Sequence, residues 1–201
     1  MTVIKDGKGT GKIAMVNSEG HLMVRSIMET DAIHTNHKLK DYYAVMSGVV
    51  TANSTNEHAI LFIKNVDPNK NMYIDALVYG FNGGNTNHNR ALRVKVYKDS
   101  GLPTLNNTLI TPGNLNWTTS NISNTICYKW DATATDGMTM GSAGLLIYDN
   151  ILAQGLTSLH ISGIPILGFN NSITVSYVPE EVGNFSVVTR FFMKNDSEYN
   201  E

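Results

Sequence analysis

The sequence predicts an all-β protein, a jelly-roll-like β-sandwich preceded by an N-terminal arm and β-hairpin. Three observations predict this fold: short apolar runs separated by turn residues, little helical periodicity, and a high content of asparagine and glycine. The 201 residues include 23 Asn and 17 Gly, and both residue types favour turns and positive φ angles. About nine short strands with frequent turn signals are typical of a sandwich or barrel, and a jelly roll fits that count.

Residues 1–40 are predicted to form an assembly arm outside the sandwich. Gly7, Gly9 and Gly11 make the first residues flexible. Two short apolar runs, residues 12–16 and 21–25, flank a block of turn residues and predict a hairpin. A lone hairpin is marginally stable, so its own domain or a neighbouring subunit is expected to cover it. The candidate assembly-interface residues are Ile4, Ile13, Met15, Val16, Leu22 and Val24.

Residues 30–40 are the only segment with a helical pattern. Thr30 or Asp31 is a suitable N-cap for such a helix. His34 and His37 then lie on one face, a spacing that also suits a metal pair. No cysteine or third histidine stands near them in sequence, so the interpretation is a pair of solvated helix residues.

The sandwich domain is predicted over residues 41–194, followed by a polar tail at 195–201. Its centre is a pair of strands at residues 60–63 and 73–79, separated by a turn around Pro68. Four consecutive apolar residues suit a strand that is buried on both faces. The remaining strands are predicted at 42–51, 92–97, 105–117 with a break at Pro112 and Gly113, 125–130, 145–148, 156–161, 173–178 and 185–193. The predicted core residues are Ile60, Phe62, Ile74, Val78, Leu92, Val94, Ile147, Ile173 and Val175.

Composition narrows the classes of partner. Charged residues make up 16% of the chain and the formal net charge is −2, against about 25% charged residues in ordinary domains. This balance favours neither nucleic acid nor an anionic membrane as partner. Cys127 is the only cysteine, so no intrachain disulfide forms. No apolar run approaches the ~20 residues of a membrane span, and the N-terminus lacks a secretory signal pattern, so synthesis in a cytoplasm is expected.

Catalytic and metal-binding patterns are weak. Cys127 lies in a strand pattern that suits a small buried residue rather than a nucleophile. Asp131 and Asp136 match a calcium loop only loosely, because Gly137 is displaced and no closing glutamate follows. The sequence therefore predicts no enzymatic activity, no cofactor and no metal site.

Five segments, residues 4–11, 14–22, 59–65, 114–121 and 166–175, together resemble a family of tailed-bacteriophage virion structural proteins. The resemblance implies a non-enzymatic subunit of the particle, such as a capsid decoration or cement protein. It implies attachment to the major capsid protein or other virion subunits, here through the N-terminal arm. It also implies a homo-oligomer, with a trimer as the leading expectation, located in the virion after synthesis in the host cytoplasm.

Two other classes of function stay open at this point. One is a carbohydrate-binding or receptor-binding module of a phage fibre or tail, in which Trp117 and Trp130 serve as glycan-stacking or interface aromatics. The other is a small hydrolase whose site leaves no motif. Binding to a glycan array, and its loss on Trp117→Ala, separates the first class from a purely structural role.

Overall fold

The structure is a computed structural model. It describes residues 4–5, 13–16, 22–23, 40–52, 56–83, 91–131, 133–134, 136–153, 155–159, 166–179 and 183–195. Every helix or strand within these ranges is a β-strand, which confirms the all-β prediction. The chain divides into two compact units, residues 1–30 and 31–201, a division that falls before the predicted one after residue 40.

The strands in chain order are Ile4–Lys5 (β1), Ile13–Val16 (β2), Leu22–Met23 (β3), Tyr42–Met46 (β4), Val50–Ala52 (β5), His58–Asn65 (β6), Asn71–Gly83 (β7), Ala91–Lys98 (β8), Pro103–Leu105 (β9), Asn107–Ile110 (β10), Gly113–Asn114 (β11), Thr125–Trp130 (β12), Thr139–Met140 (β13), Leu145–Ala153 (β14), Gly155–Leu159 (β15), Ser172–Pro179 (β16) and Gly183–Lys194 (β17).

The first unit contains a small antiparallel sheet in which β2 lies between β1 and β3. The pairing of Met15 with Met23 confirms the predicted hairpin. Strand β1 lies in the segment that was predicted to be a flexible lead, with Ile4 opposite Ala14. The predicted helix at 30–40 lies outside the described residues, apart from Lys40.

The second unit is a β-sandwich of two six-stranded antiparallel sheets. Sheet I has the order β10-β12-β6-β16-β8-β14, and sheet II has the order β11-β4-β17-β7-β15 with β5 also paired to β17. Buried side chains of both sheets form one core cluster. The rings of Tyr177 in sheet I and Phe185 in sheet II lie 4.8 Å apart, so the two sheets are in direct contact.

Strand β6 occupies the middle of the core. It pairs with β12 on one side and β16 on the other, and residues 60–63 are each 0% exposed. This burial confirms the prediction of a strand covered on both faces. Five of the predicted core residues are buried, namely Ile60, Phe62, Val94, Ile173 and Val175, while Ile74 packs half-buried against the core and the Leu92 side chain lies outside the described set.

Residues 137–138 lie alongside the first residues of β6 and form hydrogen bonds with them. The backbone N of Met138 donates to the carbonyl of Ala59 (2.8 Å), and the backbone N of Gly137 donates to His58 Nδ1 (3.0 Å). A Cβ on Gly137 would lie 2.6 Å from the Cα of His58, so this close approach requires glycine. The ring of Trp130 stacks on His58 at 5.2 Å, which seals this end of the core.

The prediction that Val78 lies in the core is wrong. Leu77 and Tyr79 are each 1% exposed, and Val78 is only half-buried. The register between β7 and β17 shifts between Arg190 and Phe191, which leaves Asp75 as an extra residue in β7. Such a β-bulge reverses the alternation of side chains beyond it, so Leu77 and Tyr79 face the core in place of Val78.

Ile147 is also not a core residue, because it is 38% exposed. The register between β14 and β8 shifts between Leu146 and Tyr148, so Ile147 sits at a bulge without a partner. Tyr148 packs against the core in its place. Residues 42–51 are likewise two strands rather than one, since Ser47 bonds to Val187 through both its backbone N and its hydroxyl (3.0 Å each).

Candidate functional site

The first candidate surface is the outer edge of β14. This strand ends sheet I, and among the residues that the structure describes no strand pairs with its outer edge. Leu145 is 70% exposed and Ile151 is 63% exposed, with Leu146 and Ile147 partly exposed between them. A long, apolar, unpaired edge strand is a template for pairing with another chain. The β14 edge is therefore a surface on which another protein segment fits.

Two ion pairs lie beside the β14 edge. Arg93 donates two hydrogen bonds to the Asp149 carboxylate, from Nε (2.6 Å) and from a terminal guanidinium nitrogen (2.5 Å). These bonds lower the pKa of Asp149 below its usual value. Lys95 Nζ donates to Glu57 Oε2 (2.5 Å). Because the charges are already paired, this face presents a nearly neutral surface around the exposed aliphatic residues.

A cavity of about 370 Å³ lies next to these ion pairs, and we call it the Tyr97 cavity. Its polar lining includes Glu57, Tyr97 and Thr174, and its apolar lining includes Met138 and Met140. Burial, followed by the neighbouring Glu57, raises the pKa of the Tyr97 phenol. The phenol therefore stays protonated near neutral pH and keeps its hydrogen-bond donor.

The second candidate surface is the Trp117 loop, which we define as residues 115–124. Trp117 is 95% exposed and Ile122 is 77% exposed. A large aromatic side chain holds about 150–250 Å² of surface that folding normally buries. A tryptophan that remains exposed in this way is a strong candidate for contact with a partner.

Asparagine side chains hold the Trp117 loop in place. Asn116 Oδ1 accepts hydrogen bonds from the backbone N (3.0 Å) and the hydroxyl (2.6 Å) of Thr118. Asn114 Nδ2 donates to the backbone oxygen of Asn121 (3.2 Å). Asn121 Nδ2 donates in turn to Asp41 Oδ1 (3.3 Å). Local bonds of this kind stabilise turns, so the loop presents Trp117 from a fixed base.

A second cavity, of about 420 Å³, lies beside the Trp117 loop, and we call it the Lys129 cavity. It opens between strands β4 and β11 of sheet II and strands β10 and β12 of sheet I. Its lining includes Met46, Ile110, Leu115 and Lys129. Among the described residues, Lys129 forms no ion pair. The cavity therefore combines apolar walls with one ammonium group.

The two tryptophans predicted as a pair lie in different environments. Trp130 is 1% exposed and stacks on His58, so it belongs to the core and takes no part in a surface platform. Trp117 stands alone on its loop. For the predicted arm interface, the structure places Ile4 in β1, Ile13, Met15 and Val16 in β2, and Leu22 in β3, while Val24 lies outside the described residues.

The residues considered as a nucleophile or as metal ligands have structural roles where the structure describes them. Cys127 is fully buried, and burial raises the pKa of its thiol to about 12, which suppresses the nucleophilic thiolate. Asp131 accepts hydrogen bonds from the backbone N (3.0 Å) and hydroxyl (2.9 Å) of Thr133, which makes it a turn residue. Among the residues that the structure describes, no three His, Cys, Asp or Glu side chains gather as a metal site. His34 and His37 lie outside this set.

Sequence reasoning missed the β14 edge and both cavities. The run at 145–148 was predicted as a strand, but its apolar residues carry no signal that distinguishes an edge strand from a central one. The cavities join residues from distant strands, for example Met46 with Ile110, and no local pattern marks such a meeting.

No family model, curated protein or solved structure matches this chain. In the described ranges no helix has the length and apolar character to cross a membrane.

Proposed function

We propose that this protein is a non-enzymatic structural subunit of a bacteriophage particle, a capsid decoration or cement protein. In this proposal the N-terminal arm binds the major capsid shell, and neighbouring subunits cover apolar edges of the sandwich. The sequence segments that resemble phage virion proteins support the assignment. The observation that carries it is the β14 edge, where Leu145 and Ile151 lie exposed on a strand whose outer edge has no partner among the described residues.

The order of strands supports the jelly-roll part of the proposal. Strand β4 pairs with β17, β6 with β16, β7 with β15 and β8 with β14, all antiparallel. These eight strands therefore pair as nested partners, from the outermost pair to the innermost. A long hairpin rolled up in this way is a jelly roll. Strands β10 and β12 extend the sheet beyond β6.

Deletion of residues 1–40 tests the role of the arm. We expect the shortened protein to keep the β-sheet circular dichroism of the full chain, because the sandwich strands begin at Tyr42. We expect that the shortened protein no longer co-sediments with particles produced by a phage from which the gene for this protein has been deleted. Full-length protein is the control. Undiminished particle binding by the shortened protein contradicts the arm's role, and unfolding shows that the arm belongs to the core.

The double substitution Leu145→Lys and Ile151→Lys tests the β14 edge. Lysines on an edge strand oppose the approach of another chain, so particle binding is expected to weaken by tenfold or more, which corresponds to about 1.4 kcal/mol. The melting temperature is expected to stay close to that of the parent, since both side chains are already exposed. Leu105→Lys, at another exposed leucine in β9, is the matched control. Equal particle binding by all three proteins removes the edge from the proposal.

A carbohydrate-binding or receptor-binding module of a fibre or tail is the second candidate function. The exposure of Trp117 on a fixed loop favours it, because an aromatic face stacks on the apolar face of a sugar ring. Retention of the protein on a glycan array, lost on Trp117→Ala and kept on Phe169→Ala, would support this function over the cement role.

A further inference from the structure

The Trp117 loop has few polar groups left for a sugar. The side-chain oxygens of Asn114 and Asn116 accept bonds within the loop, and Asn121 Oδ1 accepts from the Thr119 hydroxyl (3.0 Å). The Asn114 and Asn121 amide nitrogens also donate to protein oxygens. Buried polar groups that are already paired cost little to desolvate, and unpaired groups cost more. The loop is therefore suited to burial against an apolar protein surface.

The Lys129 cavity has the chemistry to receive an indole ring. Met46 is 59% exposed and lines the cavity, and thioether sulfur contacts aromatic rings favourably. The Lys129 ammonium, which forms no ion pair among the described residues, is complementary to the negative face of an aromatic ring. A cavity of about 420 Å³ also has room for a tryptophan side chain.

The projecting tryptophan and the cavity lie next to each other on the same chain. Leu115 lines the cavity, and two residues of chain span at most about 7 Å before Trp117 is reached. In a twofold interface each copy contributes the same surface patch, so a patch must be complementary to itself. A patch that contains both a projecting side chain, Trp117, and a cavity that can receive it, the Lys129 cavity, meets this condition, because the two insertions form at the same time.

We propose that the protein self-associates by reciprocal insertion of Trp117 into the Lys129 cavity of a second copy. Ile122, exposed on the same loop, adds apolar area at the rim of this contact. The proposal concerns contact between two copies of the chain and stands apart from the phage assignment. It places the contact at the Trp117 loop, separate from the arm and from the β14 edge.

Sedimentation equilibrium and tryptophan fluorescence of the full chain test the proposal. We expect concentration-dependent dimers, with a blue shift of emission and less quenching by acrylamide as dimers form. The Trp117→Phe variant retains only the buried Trp130, so its fluorescence gives the emission of that residue alone. Trp117→Ala is expected to weaken self-association by about 30-fold or more, as at a binding hot spot. Phe169→Ala, at an exposed aromatic elsewhere, is expected to leave self-association unchanged.

A second variant tests the same contact by filling the Lys129 cavity. Gly113 lines the Lys129 cavity, and a Cβ built on it meets only the Ala44 carbonyl at 4.0 Å, so Gly113→Leu fits the backbone while filling the cavity. Gly113→Leu is expected to abolish self-association, and a mixture with Trp117→Ala is expected to recover part of it through one intact contact. The proposal is overturned if the protein is monomeric at about 1 mM. It is also overturned if both variants dimerise like the parent, whatever the particle-binding assay shows.

Discussion

Replacing Phe62 by alanine is expected to lower the free energy of unfolding by about 3–5 kcal/mol. Phe62 is 0% exposed in the central strand β6, between Tyr128 on β12 and Thr174 on β16. Its ring lies 6.3 Å from that of Tyr128, in a tilted arrangement. The substitution removes the buried ring and leaves a cavity in a region where strands on both sides prevent collapse. Urea unfolding of the two proteins, followed by circular dichroism, measures the loss.

The control for this prediction is Phe169→Ala. Phe169 is 54% exposed in a turn, so the same truncation there is expected to change stability by no more than about 0.5 kcal/mol. A Phe62→Ala protein as stable as the Phe169→Ala protein would show that the assignment of β6 to the core centre is wrong.

The second large effect is expected for Asn65→Asp, at about 3–5 kcal/mol of lost stability at pH 7. Asn65 is 0% exposed at the end of β6, and its Nδ2 donates to the carbonyls of Lys70 and Leu167 (2.8 Å each). Its Oδ1 accepts from the backbone N of Asp67 (2.9 Å). An aspartate keeps the acceptor but loses both donors, and its charge then faces two carbonyl oxygens.

The sign of the pH dependence distinguishes a charge effect from a lost hydrogen bond. Burial against carbonyls raises the pKa of the introduced carboxyl above its unfolded value of about 3.9. The charge penalty is therefore absent below about pH 4 and grows as the pH rises toward the folded pKa. We expect Asn65→Asp to approach Asn65→Ala in stability near pH 4 and to fall below it at pH 7. Asn124→Asp, at an exposed amide, is the matched control, and a pH-independent gap between the two Asn65 variants would contradict the account.

Local pattern was sufficient for strands whose apolar residues are contiguous or strictly alternate. The segment at 125–130 coincides with β12, and those at 173–178 and 185–193 lie within β16 and β17. Strands β16 and β17 are buried along most of their length and β12 is half-buried, so their own residues carry the signal. The finer errors come from bulges. The extra residue at Asp75 and the unpaired Ile147 depend on the register of a partner strand, and no window of the sequence around either residue contains that information.

The candidate site was predictable only in its most exposed member. The sequence names Trp117 as a glycan-stacking or interface aromatic but places it at the end of the predicted strand segment 105–117, whereas the structure has it exposed on a loop. Trp130 was grouped with it because composition does not tell a strand-end tryptophan that stacks on His58 from one on a loop. The Lys129 cavity required four strands from two sheets to be placed, which is tertiary information.

The position of β17 in sheet II has a consequence for how the chain is made. Strand β17 lies between β4 and β7 and also pairs with β5, yet it leaves the ribosome after every other described strand. Sheet II cannot assemble around its central strand until Gly183–Lys194 has emerged, so the sandwich closes only after the whole span from β4 to β17 has been translated. Pairings between strands this distant in sequence form slowly, and nascent strands with unpaired apolar edges are prone to aggregate. Newly made chains are therefore expected to depend on chaperone protection during synthesis more than a protein of local topology does.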